Sequence, residues 1–91
     1  MTKYTKGADL ERKIKKELEE AGYYVIRSAG SKGRFDLAAF HPTEKRPLLI
    51  QVKVGDVSAR ETEGLRKFAT AHPYTEVVLW DKNYGKRIVG T

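Results

Sequence analysis

Between positions 7 and 22 the apolar residues fall on one helical face. Leu10, Ile14, Leu18 and Ala21 recur at three- and four-residue spacing, while Arg12, Lys13, Lys16, Glu19 and Glu20 fill the other side. Gly22 follows the last of them, where a left-handed cap is expected. The character then changes to that of strands. Tyr23 to Ser28 is β-branched and aromatic, Ala29 to Gly33 is a glycine-bearing loop, and Arg34 to Phe40 reads as a second strand closed by Pro42. Pro47 opens a third strand, Leu48 to Val54, whose nearly continuous apolar run predicts a central position. After Gly55, Ser58 with Glu61 three residues later forms a capping-box signature. It starts a second helix that buries Leu65, Phe68 and Ala69 and stops near His72, before Pro73. Thr75 to Trp80 is a fourth strand, and Arg87 to Val89 a short last one. The order α-β-β-β-α-β-β predicts an α/β fold with a mixed central sheet, in a single domain over residues 1–91.

Composition narrows the class. A chain of 91 residues buries only ~60–65% of its unfolded surface, so its core is modest and association with a copy of itself adds to it. With no cysteine a disulfide framework and a thiolate zinc site are excluded, and a reducing cytoplasm is expected. The first residues, MTKYTKGADLERK, have no apolar core and read as neither signal peptide nor anchor. No apolar stretch approaches the ~20 residues of a membrane span. The net charge of +6 makes a polyanion the first partner to consider, although an acidic small molecule or an anionic surface satisfies the same arithmetic.

The chemical anomaly lies in the strands. Asp36 sits in an otherwise apolar run, and Gln51 and Lys53 interrupt the most hydrophobic strand, both on one face, with Ile50, Val52 and Val54 on the other. Charges there are costly unless paired or solvated in a cleft. One reading is a structural Asp36–Lys53 ion pair. The other is an active site at the sheet edge. A hard cation such as Mg²⁺ takes oxygen ligands, and Asp36, the Gln51 amide oxygen and the backbone carbonyl of Val52 offer them. Lys53 then orients a metal-bound water or offsets phosphate charge.

The segments KGADLERKI, VIRSAGSKGRFDLAAF and LLIQVKV resemble the archaeal-type Holliday junction resolvases of the PD-(D/E)XK nuclease superfamily. The matching positions are Lys6–Gly7 and Glu11–Arg12 in the first helix, the Arg27 to Ser31 loop, Asp36, and Gln51–Val52–Lys53. Two departures stand out. Phe35 occupies the place of a proline before the aspartate, and Gln51 that of the E-x-K glutamate, as in the Q-x-K pattern of Mrr-like nucleases. The resemblance implies a restriction-endonuclease-like α-β-β-β-α-β core and a Mg²⁺-dependent (or Mn²⁺-supported) endonuclease that hydrolyses phosphodiesters in branched DNA. It implies Glu11 reaching the metal and Ser31 acting at the DNA, beside Asp36, Gln51 and Lys53.

Simpler readings stand beside these. Glu11 is otherwise a solvent-facing helix residue, and Ser31 a turn residue. Lys6, Arg12, Arg27, Lys32 and Arg34 are expected to contact phosphates, Arg27, Lys32 and Arg34 because they bracket the glycine loop. A solvated basic face is the alternative. Tyr23, Tyr24, Phe35 and Trp80 are expected in the core rather than as base-stacking platforms. Two other functions remain open: a Mrr-like or nicking nuclease on duplex or flapped DNA, and a DNA-binding module that no longer cleaves. Two symmetric cuts in a junction imply a homodimer, with the second helix or the strand Thr75 to Trp80 as its contact.

Overall fold

The computed structural model describes residues 3–28, 35–55, 57–82 and 85–89, with backbone alone for residues 3–7 and 86–87. Seven elements follow one another: α1 (Lys3–Glu20), β1 (Tyr24–Arg27), β2 (Leu37–Phe40), β3 (Leu48–Lys53), α2 (Ala59–Ala71), β4 (Glu76–Asp81) and β5 (Gly85–Val89). The strands form one sheet in the order β1-β2-β3-β4-β5. Only β3 and β4 run parallel, and α2 is the crossover that such a pair requires; the other three pairings are antiparallel.

The helices pack on opposite faces, each over part of the sheet. Ile14 and Leu18 of α1 are buried with Val25, Leu37, Ala39, Leu48, Ile50 and Val78. Leu65 and Ala69 of α2 are buried with Val77, Leu79 and Val89. Alternation along β3 and β4 makes this division: Ile50 and Val78 face α1, whereas Val77 and Leu79 face α2. The first helix ends as its glycine predicts. Gly22 has φ +98°, and the Gly22 and Tyr23 N–H groups donate to the carbonyls of Glu19 and Leu18, both at 3.0 Å, the two bonds of a Schellman cap. The second starts as predicted, with the Ser58 hydroxyl accepting from the Glu61 N–H at 3.1 Å.

Several expectations are corrected. The first helix begins at Lys3 rather than near residue 7, so Gly7 is tolerated inside it. Ala21 is exposed because it belongs to the cap rather than to the buried stripe. Tyr24 is 70% exposed and not a core residue: with Val25 turned inward, alternation sends Tyr24 and Ile26 to the face that α2 leaves open. Strand β4 is paired on both edges, so it offers no free backbone edge. The core places of Tyr23, Phe35 and Trp80 hold, each packing half-buried against one of the two clusters.

Candidate active site

Asp36 lies just before β2, fixed by three hydrogen bonds. Its N–H donates to the Ile50 carbonyl at 2.8 Å and its carbonyl accepts from the Ser28 N–H at 2.9 Å. Its Oδ2 accepts from the Val52 N–H at 2.8 Å. The carboxylate thus takes a strand amide that a neighbouring backbone carbonyl would otherwise bond, which is why Asp36 itself lies outside β2, whose first residue is Leu37. The adjoining Phe35 ring packs edge-on against Phe68 of α2, centroids 4.9 Å apart. Asp36 is therefore anchored to both sides of the sheet end.

Glu11 reaches the same place from α1. Its side chain is only 20% exposed and lies 3.4 Å from the Arg27 guanidinium. Burial holds its carboxyl above the ordinary range, the negative charge of Asp36 pushes the same way, and Arg27 opposes both. Two acids therefore feel each other here. The solvent-facing alternative for Glu11 does not describe this side chain.

Gln51 and Lys53 share the face toward α2, as alternation predicts. The ion pair of Lys53 is with Glu61, Nζ to Oε2 at 2.9 Å, and not with Asp36 as the structural reading supposed. This contact, through the hydrogen bond from Lys53, holds the Glu61 carboxyl below the ordinary range against a smaller opposing effect of burial. Gln51 and Glu61, with Leu65 and Leu79, line one small cavity.

The basic residues expected at phosphates are described in part. Arg27 is engaged by Glu11, and the exposed Arg12 pairs with Asp9 at 3.4 Å. Ser31, Lys32 and Arg34 fall outside the described residues, as does the Lys6 side chain. Sequence reasoning missed two acids near the lysine. Glu61 was legible only as half of a capping box. Asp81, 3% exposed and in register with Lys53 across the parallel pair, ends an apolar strand as Asp36 begins one.

Among the described residues no three His, Cys, Asp or Glu side chains gather as a metal-holding group. The Glu11 and Asp36 carboxylates could supply oxygen ligands here, whereas the Gln51 side chain lies toward α2 in the cavity with Glu61, Leu65 and Leu79. An all-oxygen set fits a hard divalent cation, and the mutual repulsion of the two acids is what such a cation relieves. No helix among the described residues is long and apolar enough to cross a membrane.

Comparison with known proteins bears on the fold and the family. A sequence model of the archaeal Holliday junction resolvase family (Hjc) matches residues 2–82. The crossover junction endodeoxyribonuclease Hjc of Methanocaldococcus jannaschii is 61% identical over 31 residues, 34% of this chain and 23% of that protein, so the matched stretch spans about a quarter of the relative's length. The crystal structure of the Holliday junction resolvase Hjc from the archaeal hyperthermophile Archaeoglobus fulgidus superposes with a TM-score of 0.60 at 31% identity, covering 93% of this chain and 72% of that one.

Proposed function

Because the chain belongs to the archaeal Holliday junction resolvase family, we propose that it is an endonuclease that hydrolyses phosphodiesters in four-way DNA junctions, at work in the cytoplasm. The observation that carries this reading is Asp36, bonded through its carboxylate to the Val52 amide of the Gln51–Val52–Lys53 strand, with the largely buried Glu11 carboxyl paired to Arg27 of β1, the strand next to β2. In the hydrolysis water adds to phosphorus, one P–O ester bond breaks, and the proton from water ends on the departing sugar oxygen. Glu11 and Asp36 would hold Mg²⁺ or Mn²⁺, which when bound lowers the pKa of water and polarises the phosphate. Asp36 is held rigidly by its three backbone bonds. Lys53 brings an ammonium to offset charge building on the non-bridging oxygens. Arg27, Lys32 and Arg34 bind the flanking phosphates.

The test is cleavage of a synthetic four-way junction by Asp36→Ala and Lys53→Ala. Both variants bind the junction within about tenfold of the unaltered protein, about 1.4 kcal/mol, and neither cuts it. Undiminished cleavage by either contradicts the assignment. A second reading, a DNA-binding module that does not cleave, is favoured by Gln51 alone; a protein that binds junctions and never cuts them at any Mg²⁺ or Mn²⁺ concentration meets that description.

One chain carries one such site, and two symmetric cuts need two. We infer a two-fold homodimer. Tyr24 and Phe40, paired across β1 and β2, and Ile26 are exposed on the part of the sheet that α2 leaves open, an apolar surface of the kind that a copy of the chain covers. Sedimentation at micromolar concentration gives a dimer; a monomer both with and without junction DNA removes the basis for paired cuts.

A further inference from the structure

The lysine of the site has a partner that no family motif assigned above includes. We propose that Glu61, in the first turn of α2, is a positioning residue of the nuclease site, fixing the Lys53 ammonium and giving it the counter-charge that a glutamine at position 51 does not provide. The inference rests on the nuclease reading above.

The geometry supports it in three ways. Lys53 Nζ lies 2.9 Å from Glu61 Oε2, within the range of a charge-assisted hydrogen bond. The carboxylate is itself held: its Oε1 accepts from the Ser58 hydroxyl at 3.3 Å, and its backbone N–H donates to the same hydroxyl at 3.1 Å. One residue therefore caps α2 and aims a fixed charge at the strand. Finally, Gln51 and Glu61 line one cavity, and Gln51 is two residues from Lys53 on the same face of β3. A carboxylate at 51 would sit where it could balance the lysine. Here that charge comes from the helix.

Glu61 acts through the lysine and not as a third acid on a cation, since no three acids gather among the described residues. An ammonium on a flexible four-carbon stem can take many positions. Pinning it before DNA arrives lowers the cost of reaching the reactive geometry, which affects turnover more than junction binding.

The experiment uses the full chain and a synthetic four-way junction with Mg²⁺. Glu61→Gln keeps an oxygen for the Ser58 hydroxyl and removes the charge, so the helix cap survives. It lowers kcat at least about tenfold with KM within about threefold, and Glu61→Asp recovers part of the loss. The double variant Gln51→Glu/Glu61→Gln, which moves the carboxylate from helix to strand, also recovers activity. In the metal-free protein the NMR signal of the Lys53 side chain shifts in Glu61→Gln and stays in place in Glu63→Gln, whose acid pairs with Arg66 instead. A kcat within about twofold of the unaltered protein in Glu61→Gln, an unmoved Lys53 signal, or no recovery in the double variant overturns the proposal. Lys53→Ala separates the two levels. If it cuts normally, the nuclease site is misassigned. If it is inactive while Glu61→Gln keeps its full rate, only the role of Glu61 falls.

Discussion

Replacing Asp36 by alanine and by asparagine separates its structural work from its chemical work. Oδ2 accepts the Val52 N–H at 2.8 Å in a half-buried position. Alanine leaves that amide without its acceptor, and losing a hydrogen bond to a charged group costs about 1.5–3 kcal/mol. Partial exposure lets water return, so about 2 kcal/mol is expected. In a chain of 91 residues each kcal/mol moves the melting temperature by about 4–8 °C, giving a fall of about 10 °C. Asparagine keeps an oxygen for the Val52 N–H but not the charge. The difference between a charged and a neutral acceptor, about 1 kcal/mol, sets its cost, partly offset by relief of the repulsion with Glu11. The order of stability is therefore unaltered protein, then Asp36→Asn, then Asp36→Ala, while both variants lose junction cleavage. Circular-dichroism melting alongside a junction-cleavage assay reads both. An alanine variant that melts with the unaltered protein removes the Val52 bond from the account. An asparagine variant that cleaves at full rate removes Asp36 from the chemistry.

Other consequences are more local. Glu11 titrates higher in the folded protein than its ordinary value of 4.5, so folding favours its protonated form. The stability this lends is full below that value and is lost as pH rises through the folded one. Melting of Glu11→Gln across this window lacks that loss; identical pH profiles for the two proteins contradict it. Gly22→Ala places a Cβ in left-handed backbone 3.0 Å from His41 Nε2 and costs about 1–2 kcal/mol, checked by chemical denaturation. Replacing Lys32 and Arg34 together lowers the slope of log affinity against log salt by ~2, at about 0.9 per phosphate contact; an unchanged slope places the DNA elsewhere.

Much of the fold was legible because local signals agreed with the global arrangement. Gly22, the Ser58–Glu61 box, the prolines and the apolar run of β3 each fixed an element end or a place in the sheet. What escaped was decided by tertiary contacts. Nothing in the apolar period marks Lys3 as a helix start, because the first turn carries no apolar stripe. The place of Asp36 just outside β2 depends on its side chain bonding a strand 16 residues away. Tyr24 looks like core by type, and only the limited reach of α2 over the sheet shows that its face is open. The candidate site was legible in its strand residues, since an acid and a lysine in apolar runs need a reason. The partner of Lys53 was not, because whether it meets Asp36 or Glu61 depends on where the crossover helix lands.

If these residues form a junction-cleaving site, the protein chooses its substrate by DNA shape. The purified protein is incubated with Mg²⁺ and a four-way junction, or with a linear duplex carrying the same arm sequences. The junction is expected to be resolved by paired nicks into two duplexes while the linear DNA remains intact. Equal cutting of both substrates, or none of either, contradicts such a site.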